Sequence, residues 1–232
     1  MYFNKIAIYY DGTDIPKSDI KIDGFTTNPS ILKKSGITDS YKKCAVSFLK
    51  KTNNLPVSFE VLSDETHKMI EEAKEISSWG DNIYVKIPII NTKGVFNTEV
   101  ISELNRLNIK QNITALFTQK QVDHCFNIIK NSNTENILSI FSGRIADTGI
   151  DPKILCKYTT KLLKNTPHIK SLWASSREVF NVFEAIESGC DIITLNQSIF
   201  KKLKLVDKDL DKFSEETVQM FVNDGKNSGL SF

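Results

Sequence analysis

The segment Ile83-Tyr84-Val85-Lys86-Ile87-Pro88 decides how the fold is predicted, because it reads as a buried strand with a charge in its middle. Its β-branched and aromatic residues are typical of a strand, and they do not alternate cleanly with polar residues. Continuous apolar runs of this kind indicate parallel strands that are covered on both faces. The lysine inside the run therefore needs a partner or a function.

Seven further apolar runs have the same character. They lie at Lys5 to Tyr10, Ile20 to Phe25, Val57 to Val61, Ile109 to Leu116, Ile137 to Phe141, Lys170 to Ala174 and Asp191 to Leu195. Between most of them, apolar residues recur at three- and four-residue spacing, as in amphipathic helices; one such set is Met69, Ile70, Ala73, Ile76 and Trp79. Strand and helix alternate, and eight strands predict an α/β fold, a single (β/α)8 TIM barrel. The segment from Gly12 to Asp19 is too short for a regular helix.

The domain organisation is predicted to be simple. The 232 residues fit one barrel, and no low-complexity segment or Pro-rich linker marks a boundary. We therefore predict one barrel domain over residues 1–232. The segment at about 207–226 extends past the eighth unit and predicts an extra C-terminal helix that packs outside the barrel.

Composition restricts the partners and the compartment. The 30 basic and 28 acidic residues are spread along the chain, so we expect a small-molecule partner rather than nucleic acid or a membrane. The N-terminus lacks a secretory signal and no apolar run is long enough to cross a bilayer, which favours a cytoplasmic location. The cysteines, which are Cys44, Cys125, Cys156 and Cys190, are far apart and predict reduced thiols rather than zinc or disulfide chemistry.

Polar residues gather at the predicted C-terminal strand ends, where barrel enzymes carry their reactive groups. They are Asp11, Thr26, Thr27, Asn28, Glu60, Lys86, Asn112, Thr114, Arg144, Ser175, Ser176 and Arg177. Lys86 alone has two readings, because it can point outward and extend its charge to solvent, or point inward. With Asp11 and Glu60 on other strand ends, the inward reading is favoured. Burial then disfavours the ammonium and yields an amine that attacks a sugar carbonyl, the chemistry of a Schiff-base aldolase.

The two acids also have two readings each. Asp11 is either a turn residue or an acid/base, and Glu60 either only neutralises Lys86 or also takes part in the reaction. Cleavage of a carbon–carbon bond needs a base that takes a proton from a hydroxyl and a group that orients water. Two carboxylates beside one amine meet that need.

Arg144, Ser175 and Arg177 form a candidate phosphate site, since two guanidinium groups and a hydroxyl suit a dianion. The segment Ser175-Ser176-Arg177-Glu178 is also predicted to start a helix whose free N–H groups add to anion binding. The alternative is a capped helix in which Arg177 pairs with Glu178 or Glu184.

Metal and cofactor chemistry are not predicted. The three histidines, His67, His124 and His168, lie in predicted helices or a loop and none lies at a strand end, so a zinc-dependent aldolase has no ligand set. No glycine-rich phosphate-binding fingerprint follows a strand, which argues against a nucleotide cofactor.

Six ordered blocks give the chain a family resemblance. They are Gly24-Phe25-Thr26-Thr27-Asn28-Pro29-Ser30, Val57-Ser58-Phe59-Glu60-Val61, Tyr84-Val85-Lys86-Ile87-Pro88, Asn112-Ile113-Thr114-Ala115-Leu116-Phe117, Ser139-Ile140-Phe141-Ser142-Gly143-Arg144-Ile145 and Ala174-Ser175-Ser176-Arg177. The chain resembles the transaldolase family, in its small subfamily that includes the fructose-6-phosphate aldolases. The resemblance implies a TIM barrel, sugar phosphate substrates in carbohydrate metabolism such as the pentose phosphate pathway, no metal or organic cofactor, and a homo-oligomer.

The resemblance also implies a role for each matching residue. Lys86 would be the Schiff-base lysine, Asp11 the acid/base at the sugar hydroxyls, and Glu60 with Thr114 would hold the catalytic water. The substrate-binding set would be Thr26, Asn28, Asn112, Phe141, Arg144, Ser175 and Arg177, of which the last three match the phosphate site. Ser176 departs from the housekeeping transaldolases, in which an aromatic residue is usual at the matching position.

Two positions bear on the reaction. Glu60 together with Phe141 is similar to the transferase pattern, whereas the aldolases of the subfamily resemble Gln and Tyr there. A Tyr would help water to protonate and release the intermediate, so its absence favours transfer of a dihydroxyacetone unit from a ketose phosphate to an aldose phosphate. The alternatives are cleavage that releases free dihydroxyacetone, and a phosphosugar-binding relative without turnover.

Overall fold

The computed structural model describes residues 2–34 and 40–229 and contains a closed barrel of eight parallel strands. The strands are β1 (Ala7–Asp11), β2 (Gly24–Thr26), β3 (Val57–Glu60), β4 (Ile83–Pro88), β5 (Gln111–Leu116), β6 (Asn136–Ile140), β7 (Ile169–Trp173) and β8 (Ile192–Asn196). Each strand pairs with the next, and β8 pairs with β1. The predicted (β/α)8 barrel is confirmed.

Helices fill most of the connections. They are α1 (Pro29–Lys34), α2 (Tyr41–Leu49), α3 (Thr66–Ser77), α4 (Thr98–Arg106), α5 (Gln119–Ile129), α6 (Ser142–Ala146), α7 (Lys153–Leu162), α8 (Asn181–Glu187), α9 (Gln197–Lys202) and α10 (Leu210–Asn227). Short 3-10 helices span Tyr2–Lys5, Leu163–Asn165 and Leu203–Leu205. The segment between β1 and β2 is not helical, as predicted. No helix in the described part of the chain is long and apolar enough to cross a membrane.

An apolar cluster fills the lower part of the barrel interior. Its buried members are Tyr9, Tyr84, Ile137, Leu172, Ala174 and Ile192. Five of these residues lie on strands on different sides of the barrel and Ala174 directly follows β7, so they meet only inside the barrel. Because side chains on a strand alternate between its faces, the residues two positions further along β1, β4 and β8 also point inward. Those residues are Asp11, Lys86 and Thr194, and the fold thereby sets polar groups on an apolar floor.

The outer face of the barrel is covered by the predicted amphipathic helices. Met69, Ala73 and Ile76 are the buried residues of α3, at the three- and four-residue spacing that predicted this helix. In α5, the Thr118 side chain accepts a hydrogen bond from the Gln121 N–H, and the Gln121 side chain accepts one from the Thr118 N–H. This pair of bonds is a capping box, which fixes the start of the helix.

The chain forms two compact units, up to residue 200 and from residue 201 onward. The second unit contains α10, whose bounds differ by a few residues from those of the helix predicted at about 207–226. The helix starts after Asp209, whose side chain accepts a hydrogen bond from the Lys212 N–H. None of the side chains of α10 is buried. A single domain over residues 1–232 and packing of this helix outside the barrel stay predictions.

Candidate active site

Lys86 points into the barrel. Its side chain is 9% exposed, and its Nζ donates to the carbonyl of Thr27 at 3.1 Å and lies 3.3 Å from Oε2 of Glu60. Thr27 follows β2, two strands away from β4, so the amine reaches across the interior. This geometry excludes the outward orientation. Cα pairing of Glu60 with Lys86 explains the ion pair, since neighbouring inward residues of parallel strands stand side by side.

Asp11 is the last residue of β1 and faces the same space. The Thr26 hydroxyl donates to its Oδ1 at 2.7 Å. Burial raises the pKa of Asp11 above its ordinary value, while the charge of Lys86 and the bond from Thr26 oppose that rise. The pKa of Asp11 therefore depends on both neighbours, and a raised pKa suits a group that takes and returns a proton.

A buried hydrogen-bond network fixes Asn112 beside Lys86. The Asn112 Nδ2 donates to Ser58 Oγ at 2.9 Å, and Ser139 Oγ donates to Asn112 Oδ1 at 2.6 Å. Asn112 is thus held in one amide orientation, with one N–H left for another partner. Ser58 and Ser139 were not among the predicted site residues. Ser58 lies two residues before Glu60, and Ser139 lies two residues before Phe141. Because residues two apart on a strand share a face, this spacing could have predicted both serines.

Thr114 carries a buried hydroxyl that lacks a hydrogen-bond partner among the residues that the structure describes. The next residue, Ala115, has a left-handed φ of 59°, and the register between β5 and β6 shifts between Ile113 and Leu116. A bulge of this kind re-aims neighbouring side chains and is common beside active sites. Buried hydroxyls are usually hydrogen-bonded, so this one is a candidate for a contact with water or a ligand.

Asn28 and Thr26 both make contacts within the protein. Asn28 Oδ1 accepts from the Ile31 N–H at 2.9 Å, so it caps the start of α1. Thr26 is buried and its proton is directed to Asp11. Substrate binding by either residue stays a prediction.

Phe141 and Arg144 lie together at the end of β6. The guanidinium carbon of Arg144 is 5.4 Å from the centre of the Phe141 ring, within cation–π range. Phe117 contacts the same ring, with 5.7 Å between the centroids. Phe141 is half-buried and Arg144 is exposed, so the charge stands at the mouth of the barrel above an aromatic wall.

Arg177 pairs with Asp147, which neither of the predicted alternatives included. Its Nε donates to Asp147 Oδ1 at 3.1 Å and its Nη2 to Oδ2. The pair holds the pKa of Asp147 below its usual range. Pairing of Arg177 with Glu178 or Glu184 was wrong, and Glu184 accepts instead from the Asn181 amide. Both partners are about half exposed, so the pair is weak and can exchange with another anion.

The predicted helix start at residues 175–178 was also wrong, because α8 begins at Asn181. The N–H groups of Arg177 and Glu178 both donate to Asn181 Oδ1, at 2.8 and 3.1 Å, so they are not free for an anion. Ser175 has a left-handed φ of 62°, which a helix does not allow. A Cβ on Gly143 would lie 1.7 Å from the Ser175 carbonyl oxygen, so only glycine lets this loop press against α6.

The histidines lie away from this site, as predicted. His67 on α3 lies 3.2 Å from Glu71, His124 on α5 lies 2.8 Å from the Thr98 hydroxyl, and His168 precedes β7. Residues 2–34 and 40–229 contain no group of three or more His, Cys, Asp or Glu placed to hold a metal ion. All four cysteines are free thiols, of which only Cys44 is not buried.

The sequence matches a family model described as Transaldolase/Fructose-6-phosphate aldolase over residues 9–230. A probable transaldolase 2 of Listeria monocytogenes is 33% identical over 202 residues, which are 84% of this chain and 86% of that protein. A probable transaldolase of Leptospira biflexa is 33% identical over 205 residues, covering 86% and 89%. A probable transaldolase of Nitrosopumilus maritimus is 30% identical over 184 residues, covering 78% of each.

Solved structures share the barrel. A 3-hexulose-6-phosphate synthase from Salmonella typhimurium superposes with a TM-score of 0.56 at 12% identity, covering 84% of this chain and 91% of that one. An N-acetylneuraminate lyase from Mycoplasma synoviae gives 0.55 at 11% identity, covering 97% and 82%. Identities this low show the fold alone, whereas the sequence matches span nearly the whole chain. The chain therefore belongs to the transaldolase/fructose-6-phosphate aldolase family.

Proposed function

We propose that this protein is a class I transaldolase that transfers a dihydroxyacetone unit from a ketose phosphate to an aldose phosphate through a Schiff base on Lys86. One observation carries the proposal: an amine buried inside a barrel lies 3.3 Å from a carboxylate of Glu60 and shares its space with Asp11. The family membership restricts the reaction class, and this amine supplies the chemistry.

Formation of the Schiff base needs Lys86 to lose its proton, and Glu60 is placed to accept it. The free amine then attacks C2 of the ketose, and the resulting carbinolamine loses water to give an iminium ion. The hydroxyl that leaves must be protonated, so a group that holds and moves protons has to lie close by. Glu60 serves this role, and the buried hydroxyl of Thr114 gives the released water a partner.

Cleavage of the C3–C4 bond needs a base at the C4 hydroxyl. Asp11 is proposed to take that proton, the C4 carbon leaves as an aldehyde, and the bonding electrons pass into the iminium to form an enamine on Lys86. The reverse sequence with a second aldehyde completes the transfer. Asn112 holds a substrate hydroxyl with its remaining N–H, in an orientation that Ser58 and Ser139 fix in advance.

Transfer rather than release is proposed because the wall of the site at Phe141 carries no hydroxyl. A phenol there would supply an acid for protonation of the enamine. The phenyl ring instead packs against Phe117 and Arg144, and it leaves the enamine to meet an aldehyde. The phosphate group of the substrate is proposed to bind at Arg144, Ser175 and Arg177. There it replaces Asp147 as the partner of part of the Arg177 guanidinium group.

The reaction is proposed to need neither a metal ion nor an organic cofactor, since side chains of the barrel fill each role above. A cytoplasmic location, a place in carbohydrate metabolism and sugar phosphates as the partners belong to the same proposal.

Borohydride reduction in the presence of fructose 6-phosphate tests the Schiff base. Intact and peptide mass should show a reduced three-carbon adduct on Lys86, because the iminium is reduced to a stable amine. Lys86→Met should fold, since Met fills the same space, and should lose turnover and adduct together. Lys110→Met, which changes a lysine just before β5, is the matched control and should keep both. Binding of fructose 6-phosphate without any adduct or exchange would instead favour a non-catalytic sugar-binding protein.

The acceptor dependence of product formation separates transfer from cleavage. With fructose 6-phosphate alone, the protein should release little free dihydroxyacetone, and erythrose 4-phosphate should start turnover. Phe141→Tyr should increase acceptor-independent release, because the added phenol can protonate the enamine. Equal release with and without acceptor in the unaltered protein would establish the aldolase alternative.

The phosphate site predicts a difference between phosphorylated and free sugars. Arg144→Ala and Arg177→Ala should each raise KM for fructose 6-phosphate by about 10- to 100-fold, because each removes about the binding free energy of one charge-assisted hydrogen bond. Both variants should leave turnover of free fructose unchanged. Arg106→Ala, at the far end of α4, is the control and should change neither. An equal loss on both sugars would show that the arginines do not bind the phosphate.

A homo-oligomer is also proposed, and the apolar residues of α10 support it. Phe213, Val218, Met220, Phe221 and Val222 are all at least 40% exposed. Such a concentration of exposed apolar side chains favours association. Light scattering should give a multiple of the 26.3 kDa chain mass, and a single-chain mass across the concentration range would contradict the proposal.

A further inference from the structure

We propose that Thr194 is a positioning residue that acts through Thr26 to hold Asp11 as a carboxylate. The three residues form a hydrogen-bonded row across β8, β2 and β1. This inference rests on the proposed function, because it concerns the group proposed to take the proton from the sugar.

The geometry of the row is defined by two short contacts. Thr26 Oγ1 lies 2.7 Å from Asp11 Oδ1 and 2.6 Å from Thr194 Oγ1. Thr26 is 2% exposed and Thr194 is 6% exposed, so water does not compete freely for these hydroxyls. The Cα of Asp11 pairs with that of Thr26 in β2, and β8 pairs with β1 on the other side. The two threonines therefore meet inside the barrel beside the acid.

The row has one direction when Asp11 is ionised. A carboxylate only accepts hydrogen bonds, so the single proton of the Thr26 hydroxyl is directed to Asp11. That proton is then used, and the contact between the two threonines requires Thr194 to donate to Thr26. Each bond polarises the next, and a bond to a charged oxygen is stronger than one to a neutral oxygen. The row thus favours the charged form of Asp11.

The backbone fixes Thr194 in place. Its carbonyl accepts from Ser176 Oγ at 2.9 Å, and its Cα pairs with Tyr9 of β1. A β-branched side chain on a paired strand has few rotamers, so the hydroxyl is held where Thr26 needs it. The bond from Ser176 also ties the loop after β7 to β8.

The charges that face Asp11 determine when the row matters. Burial raises the pKa of Asp11 and the ammonium of Lys86 on β4 lowers it; on β1, Tyr10 stays neutral because its own pKa is raised. Glu60 on β3 pairs with Lys86 and so weakens the cation's effect on Asp11. When Asp11 takes the C4 proton, Lys86 is a cationic iminium, and the threonine row adds to its effect in favouring the carboxylate.

Thr194→Val tests the inference, because it keeps the shape of the side chain and removes only the hydroxyl. The acid limb of the kcat–pH profile, measured with fructose 6-phosphate and erythrose 4-phosphate, should move to higher pH by about half a unit to one unit. The sign follows from the loss of a contact that favours the carboxylate: Asp11 then protonates at a higher pH. Thr194→Ser, which restores the hydroxyl, should return the limb to its original position, and Thr194→Ala should shift it as the Val variant does.

A matched control separates positioning from stability. Thr159→Val removes a buried hydroxyl of α7 that donates to the Leu155 carbonyl, so it lowers the unfolding temperature and should leave the pH limb unchanged. An unshifted acid limb in both hydroxyl-free variants would overturn the inference, as would a Thr194→Ser variant that behaves like Thr194→Val.

Borohydride trapping on Lys86 is measured in every variant. An adduct with an unshifted limb would reject only the Thr194 role, whereas no adduct in the unaltered protein would reject the proposed function itself.

Discussion

The ion pair between Lys86 and Glu60 inside the barrel is the contact on which the rest of the site depends. An ammonium group taken out of water costs several kcal/mol unless it is paired and hydrogen-bonded, and here Glu60 and the Thr27 carbonyl provide both. The same carboxylate gives the proton somewhere to go. In the proposed mechanism Glu60 also accepts the proton of Lys86, so the contact that stabilises the buried ammonium is the one through which it would become an amine.

The barrel builds this environment from a simple alternation. Tyr9 and Tyr84 belong to an apolar floor, and two residues further along each strand stand Asp11 and Lys86. The floor keeps water from the lower face of the site, which strengthens the electrostatic contacts above it. The backbone departs from regular strand geometry at two places near the mouth of the barrel. Ala115, beside Thr114, and Ser175, in the loop after β7, both have a left-handed φ. Elsewhere in the described part of the chain, four other non-glycine residues, which are Asn53, Asn54, Asn108 and Asp207, also have a left-handed φ, so this conformation is not confined to the proposed site.

The sequence predicted the barrel, because apolar runs are local signals, and it predicted the inward orientation of Lys86 from the acids Asp11 and Glu60 on other strand ends. It failed where the outcome depends on tertiary contacts. The partner of Arg177 is Asp147, which lies in a different loop, and α8 begins at Asn181, after a loop that packs against Gly143. Thr194 gave no signal, since one hydroxyl in an apolar strand is ordinary until the closed barrel brings it beside Thr26.

The crystal structure of the protein reduced with borohydride in the presence of fructose 6-phosphate tests the central claim most directly. The account predicts continuous electron density from Lys86 Nζ to the central carbon of a three-carbon unit. The Asp11 carboxyl should lie beside the cleaved end of this unit, where the C4 hydroxyl of the ketose lay before it left with the aldehyde. Unmodified Lys86 still paired with Glu60, or a sugar carbon bonded to another lysine, would contradict it.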